Sequence, residues 1–224
     1  MLRLAVTRYF LLLTQSTKNA GRTYSSNPKI CWKCSQHLVT KNKFFCASCG
    51  SLQRLEEVDY FTLLDVSNKF DLDSPTLTSN FRRLQSALHP DKFTQSSSEE
   101  KSNSLEWSSL VNKAYKTLNT PLQRGQYILE QNGIEISEEN TSVDSEFLMD
   151  MMDKNEAVAE ASNSDDLDEI GQTLKADIDE LYEKLNQCFL GNDLKGAKEN
   201  LVRLKYLLNI LGVVKEKMLK YNYQ

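Results

Sequence analysis

Proline and glycine are scarce in this chain, 4 and 8 among 224 residues. A fold of many short strands needs turn residues in number. Their shortage, with abundant Leu, Lys and Glu, points to helices instead. Long apolar runs are also missing. Near the N-terminus the longest is Tyr9–Leu13, far short of the roughly 20 residues that span a bilayer, so no membrane-spanning segment is expected. No Gly-rich loop offers a cradle for phosphate. Acidic residues do not appear before Glu56. The net charge is −4, and residues 1–24 carry Arg3, Arg8, Lys18 and Arg22; without them 23 basic residues would face 31 acidic ones. Such a balance lacks the clustered Lys and Arg that a nucleic-acid backbone demands, so nucleic acid is not an expected partner.

The acid-free start, with Arg and Ser among Leu and Thr, reads as an organelle transit peptide over 1–24. "RTYSS", Arg22 to Ser26, resembles a matrix-protease cleavage site. A secretory signal fits less well, because the apolar core is short and Lys18 and Arg22 follow it. The expected location is the mitochondrial matrix, and the sequence leaves an uncleaved cytosolic pool open.

Residues 25–56 form the next unit. Cys31 and Cys34, then Cys46 and Cys49, make two Cys-x-x-Cys pairs eleven residues apart. Two such pairs can wrap one tetrahedral ion with four thiolates. Zinc is the expected ion in a closed four-thiolate site, with a rubredoxin-like iron as the alternative. Disulfides are disfavoured in a reducing compartment, and neither pair opens a helix after a strand as a redox dithiol would. A segment this small buries little, so the ion would supply its folding free energy. Leu38 and Val39, a Lys-Asn-Lys turn, then Phe44 and Phe45 suit a zinc-ribbon-like hairpin. His37 reads as an exposed polar residue, and Cys188, far along the chain, as core.

From 57 to 132 the pattern is helical. Asp73 or Ser74 caps a helix with Pro75 in its first turn. Leu77, Phe81, Leu84 and Leu88 make one stripe, and Arg82 and Arg83 fall off it toward water. Pro90 pushes the preceding residue out of helical geometry, so the helix ends near His89. A second long helix is expected with Leu105, Val111, Ala114, Tyr115 and Leu118 on one face, then a shorter one from Pro121 to Gly133. Two residues apart across a proline, His89 and Asp91 are poorly set to share a triad-type hydrogen bond, and no nucleophile is marked nearby. Pro90 as a helix stop and Asp91 as a cap of the next turn would explain two of the three residues, leaving His89 without a purpose.

"DYFTLLDV", "NFRRLQSALHPDKF" and "LVNKAYKTLNTPLQRGQYIL" resemble a J-domain, in which a helical hairpin carries His-Pro-Asp in its connecting loop. The resemblance implies docking on a 70-kDa heat-shock chaperone and stimulation of its ATP hydrolysis. Arg82 and Arg83 match the basic face of the hairpin, and His89, Pro90 and Asp91 match the signalling triplet. Ala87 and Leu88 stand where the family often carries Lys, so the basic face is thin. The barrier is then lowered in the partner's active site, and this chain needs no catalytic residue of its own.

After a linker at 133–143, residues 144–224 show three helical patterns. One has Leu167, Ile170, Leu174, Ile178, Leu181, Leu185 and Cys188 in register. The next has Leu194, Ala197, Leu201, Leu204, Leu208 and Leu211. The short turn between them predicts antiparallel packing, and "SEFLMDMMDKNEAVAEA" completes a three-helix bundle. That first helix is overstocked. Phe147, Met151 and Val158 suffice to face the bundle, while Leu148, Met149 and Met152 fall elsewhere, beside Asp153 and Glu156. A helix wedged between two neighbours would bury them all; an exposed apolar patch with an acidic rim would mark a partner surface. On the last helix Val202, Tyr206, Ile210 and Val213 also sit off the main stripe.

The order of modules resembles the HscB family of iron–sulfur cluster co-chaperones in its mitochondrial, animal-type form, down to "NGIEI" at Asn132–Ile136, "FLMDMMDKNE" and "LVRLKYLLNI". The resemblance implies an all-α fold of J-domain hairpin plus C-terminal bundle. It also implies an ISCU-type scaffold protein bound at positions carried over to Leu148, Met149, Met152, Asp153, Glu156 and Tyr206. Asp153 is shorter than the acidic residue usual at its position. Three rivals stand beside this reading: a zinc-ribbon nucleic-acid binder, a J-protein for unfolded clients, and a Cys-x-x-Cys redox enzyme. Self-association is not legible in the sequence.

Overall fold

A computed structural model of the chain describes residues 30–38, 44–136 and 144–222. The expected transit peptide, the turn between the cysteine pairs at 39–43 and most of the 133–143 linker lie outside them. The described residues contain seven α-helices and one 3-10 turn; their β pairing is limited to two isolated bridges, Ile30 with His37 and Phe45 with Leu52. The fold is all-α, as expected.

Helix α1 (Tyr60–Leu63) is capped by Asp59, which accepts from the Thr62 amide. Helix α2 (Ser74–Leu88) starts at Asp73, whose carboxylate accepts from Thr76 N, with Pro75 in the first turn. Helix α3 (Ser98–Asn119) is capped by Ser97: Glu100 N donates to Ser97 Oγ at 3.3 Å, and Ser97 Oγ donates to Glu100 Oε2 at 3.1 Å. Contacts pairing Thr78 with Tyr115, Gln85 with Ser108 and Leu88 with Ser104 run in opposite directions along α2 and α3, so the two are antiparallel. Helix α4 (Pro121–Gln131) closes this half, and Gly133, at φ +75°, ends it in the left-handed conformation that glycine adopts without steric cost.

Two details of α3 differ from expectation. Leu105 is 59% exposed, and Tyr115 is half-buried, its ring stacked on Phe81 at 4.1 Å. The inner face uses Ser104, Trp107 and Ser108 beside Val111, Ala114 and Leu118. Polar residues can occupy a core face when hydrogen-bonded. Ser104 Oγ donates to Leu88 O at 2.8 Å, and Ser108 Oγ to Gln85 Oε1 at 3.0 Å.

Helices α5 (Ser145–Glu160), α6 (Ser164–Leu190) and α7 (Leu194–Asn222) form the second half. Leu167, Leu174, Ile178, Leu181 and Leu185 of α6 meet Ala197, Leu201, Leu204 and Leu211 of α7 in the core. On α7 Leu207 is buried and Leu208 half-buried, the reverse of the expected emphasis, and Val202 and Ile210 are inside. Helix α7 packs against α4 and α5 as well as α6. A Cβ placed on Gly125 would sit 2.6 Å from Leu201 Cδ2, so a larger residue here would displace the Leu201 side chain. Cys188 is half-buried rather than core, with Asn200 Nδ2 3.7 Å from its sulfur.

The two halves touch at a second place. Phe70 stacks on Phe189 of α6 at 5.0 Å, and the buried Arg124 guanidinium lies 5.1 Å from the Phe70 ring centroid while donating to Leu118 O at 2.6 Å. Burial weighs against the charge of Arg124, and Asp71 favours it. These aromatic and glycine contacts fix how the hairpin sits on the bundle.

Candidate functional site

The four cysteines converge. Their sulfurs all lie within 4.8 Å of one another, with Cys31 to Cys49 and Cys34 to Cys46 each at 3.7 Å. Thiolates around a tetrahedral ion at the ~2.3 Å typical of zinc–sulfur bonds stand about 3.8 Å apart, whereas a disulfide would bring sulfurs to ~2.05 Å. The four thiols are free, and the donor set fits a metal ion. The Cys31–Cys34 and Cys46–Cys49 segments each form a turn closed by a short backbone loop: Ser35 N donates to Cys31 O at 3.0 Å, and Gly50 N to Cys46 O at 2.9 Å.

The thiols are not equivalent. Burial pushes Cys31 up, but the Ser51 hydroxyl and the Cys34 and Lys33 amides outweigh it and bring it to about 5. Cys34 gains from its backbone bond to Gln36, yet burial and the neighbouring thiols push it up to about 12. A cation among the sulfurs would relieve that repulsion, and its binding would release protons. Ser51 and Gln53 face the same cluster, which the sequence pattern did not flag. Ser51 Oγ is 3.0 Å from Cys49 Sγ, and Gln53 Nε2 donates toward Cys31 Sγ at 3.4 Å. A polar residue two and four places after the last cysteine is the signal that was available.

The His89-Pro90-Asp91 triplet lies where α2 ends. His89 is extended, at φ −61° and ψ 132°, and Pro90–Phe93 form a single 3-10 turn. The cap of that turn is His89, not Asp91: its Nδ1 accepts from the Asp91 amide at 3.3 Å. This assigns His89 the local purpose it lacked. Nδ1 also approaches Asp91 Oδ2 to 3.4 Å, closer than the intervening proline suggested, but both side chains are exposed. Phe93 is buried and anchors the turn on α3. Arg82 and Arg83 project outward from α2, Arg83 3.6 Å from Asp65 and donating to Asn80. They share the outer surface of the hairpin that carries the triplet.

On α5 the expected division holds. Met151 is 4% exposed and Val158 2%, while Leu148, Met149 and Met152 are 39%, 65% and 70% exposed. Residues 148, 149 and 152 are neighbours at spacings of three and four, and the exposed Asp153 and Glu156 border them. Tyr206 of α7 is 40% exposed and meets the Phe147 ring edge-on at 5.9 Å, extending the apolar strip onto the next helix. Two basic residues of α7 fix α5. Arg203 pairs with Asp144, the N-cap, and lies 5.0 Å from the Phe147 centroid; Lys217 Nζ donates to the carbonyls of Val158, Ala159 and Ala161, each at 2.8 Å. Asp144 at the N-terminus and Lys217 at the C-terminus complement the helix dipole.

A family model described as the HSCB C-terminal oligomerisation domain matches residues 143–215, a span that contains α5 and its exposed strip. The iron-sulfur cluster co-chaperone protein HscB of Mus musculus is 38% identical over 201 residues, covering 88% of this chain and 86% of that protein. Its Homo sapiens counterpart is 37% identical over 203 residues, covering 89% and 86%. The chain belongs to the HscB family of iron–sulfur cluster co-chaperones. The crystal structure of human co-chaperone protein HscB matches with a TM-score of 0.81 at 38% identity, covering 84% of this chain and 98% of that one. Chaperone HscB from Vibrio cholerae matches at 0.68 with 27% identity, covering 73% and 99%. This HscB-family chain is thus a co-chaperone of iron–sulfur cluster biogenesis by its relatives, and its hairpin tip, α5 strip and cysteine cluster are three separate surfaces of one fold.

Proposed function

We propose that this HscB-family chain bridges two proteins. The α5 strip, Leu148, Met149 and Met152 with Tyr206, Asp153 and Glu156 at its border, binds an ISCU-type iron–sulfur scaffold. The hairpin is a J-domain whose His89, Pro90 and Asp91, steered by Arg82 and Arg83, stimulate ATP hydrolysis in a mitochondrial 70-kDa heat-shock chaperone. Triggered hydrolysis locks the chaperone on the scaffold and promotes release of the cluster to acceptors. The chain contributes geometry: holding scaffold and triplet in one body raises the effective concentration of one partner for the other.

One observation carries this reading. Three large apolar side chains stay in solvent on a helix whose neighbouring Met151 and Val158 are fully packed. Exposed apolar clusters with a polar border are interface-forming, and methionine adapts to a partner's shape. The structural contacts between α4 and α7 support a fixed spacing between strip and tip. In the four-cysteine centre the reading is one structural zinc, held by Cys31, Cys34, Cys46 and Cys49; elemental analysis of protein purified without added metal distinguishes zinc from iron. The matrix location rests on the 1–24 pattern, and N-terminal sequencing of the organellar protein tests it.

The test of the bridge is chaperone ATPase activity with scaffold present. Asp91→Ala is expected to lose stimulation and keep scaffold binding, and Leu148→Ala/Met149→Ala/Met152→Ala to do the reverse. Equal loss of both functions in both variants rejects the two-site division. A second reading comes from the family description, which names oligomerisation: the same strip would then pair two copies. Sedimentation of the chain alone separates the readings, since a dimer abolished by the triple substitution favours self-association.

A further inference from the structure

Between the cysteine cluster and the hairpin runs a three-residue segment, Ser51–Gln53, whose side chains alternate. Ser51 and Gln53 turn toward the sulfurs: Ser51 Oγ lies 3.0 Å from Cys49 Sγ and 3.5 Å from Cys31 Sγ, and Gln53 Nε2 donates to Ser51 Oγ at 3.0 Å. Leu52 turns the other way and is fully buried in the hairpin core. The backbone of the same segment is held by α3. Leu52 N donates to Glu100 Oε1 at 3.3 Å, Asn103 Nδ2 donates to Leu52 O at 3.2 Å, and Trp107 Nε1 donates to Gln53 O at 2.9 Å. All three α3 side chains are buried.

We propose that the four-cysteine centre and the N-terminal half of α3 form one thermodynamic unit. Glu100, Asn103 and Trp107 are positioning residues that set the hydroxyl and amide around the thiolates, and a bound metal in turn stiffens the helix that follows the His-Pro-Asp turn. The coupling rests on the reading that the cysteines hold a metal. Groups that orient ligands from outside the coordination sphere typically change metal affinity 10–100-fold. Coupling between two sites is reciprocal, so what α3 does for the metal the metal does for α3. Glu100 is the pivot. It closes the first turn of α3 through Ser97, accepts the Leu52 amide, and has Lys33 of the first cysteine knuckle 3.6 Å away. If the module opens, this buried carboxylate, the Asn103 amide and the Trp107 indole lose partners together, and each buried polar group left unpaired weakens that part of the helix.

The experiment has two arms on the full chain. In the first, Zn2+ affinity is measured against a competing chelator for the native chain, Asn103→Ala, Trp107→Phe and Ser51→Ala, with global thermal unfolding of each recorded in parallel. All three substitutions are expected to weaken zinc by about tenfold or more. The double variant Ser51→Ala/Trp107→Phe is expected to lose less than the two single losses combined, because both act through one segment. In the second, hydrogen exchange of the native chain is followed with zinc bound and after chelation. Amides Lys101–Ser108 of α3 are expected to exchange about tenfold faster without zinc, while Leu201–Leu211 of α7 are unchanged. Zinc affinity within twofold of native in all variants, or equal protection of Lys101–Ser108 in both states, overturns the coupling. A native chain that takes up no zinc overturns the metal reading itself, and the coupling with it.

Discussion

At the hairpin tip the exposed side chains are polar, and the backbone does the fixing: a proline, a 3-10 turn and an amide donated to His89 hold the triplet, with Phe93 buried behind it. On α5 the arrangement is inverted. The exposed side chains are long and apolar, and charged residues from α7 do the fixing, Arg203 at one end and Lys217 at the other. An exposed polar tip steers and orients without much buried area, which suits a brief encounter. An apolar strip yields binding free energy on burial, which suits a partner that is carried. The contrast ties each surface to its proposed customer more firmly than either surface does alone.

The sharpest way to break the contrast is Asp91→Ala. Stimulation of the chaperone ATPase is expected to fall to the basal rate, with scaffold affinity within twofold of native by calorimetry. Next comes the triple substitution of Leu148, Met149 and Met152, which is expected to weaken scaffold binding by about 100-fold, the loss of two or more hot-spot contacts. Its thermal unfolding should stay close to native, because these side chains already face water.

The pair Met151 and Met152 sharpens the comparison further. Met151→Ala is expected to destabilise the fold by roughly 2–5 kcal/mol in denaturant titration, the usual cost of emptying a core methionine site. Met152→Ala should change stability by less than ~0.5 kcal/mol and weaken scaffold binding. The smallest effect is reserved for the basic face. Arg82→Ala/Arg83→Ala is expected to reduce chaperone stimulation by about three- to tenfold at low salt, and by less at high salt, since exposed charges act mainly on the encounter and are screened.

Much of this was legible in the residues. The Leu77–Phe81–Leu84–Leu88 stripe, a cap at Asp73 or Ser74 and a stop near His89 follow from periodicity and from proline's geometry; in the structure Phe81 is half-buried, Asp73 is the cap and α2 ends at Leu88. The surplus on α5 was legible because three apolar residues had nowhere to go once Met151 and Val158 were placed. Hydropathy failed where hydrogen bonds decide burial. Leu105 lies outside and Ser104 inside because the serine satisfies the last carbonyl of α2. It failed again on α7, where Val202 and Ile210 are inside: α7 packs against α4 and α5 as well as α6, long-range contacts with no local signature. The cysteine cluster was read from spacing alone, but its attachment to α3 runs through Leu52 and Trp107, about fifty residues apart, and no motif encodes that.

The most direct test of the bridge mixes the two damaged full-length chains. Asp91→Ala retains the strip and the triple α5 variant retains the tip, so together they supply both surfaces on separate molecules. The account predicts that scaffold-dependent ATPase stimulation by the mixture stays at the level of the better single variant at any ratio. Recovery of native stimulation by the mixture would contradict it, because the two surfaces would then have no need to share one chain.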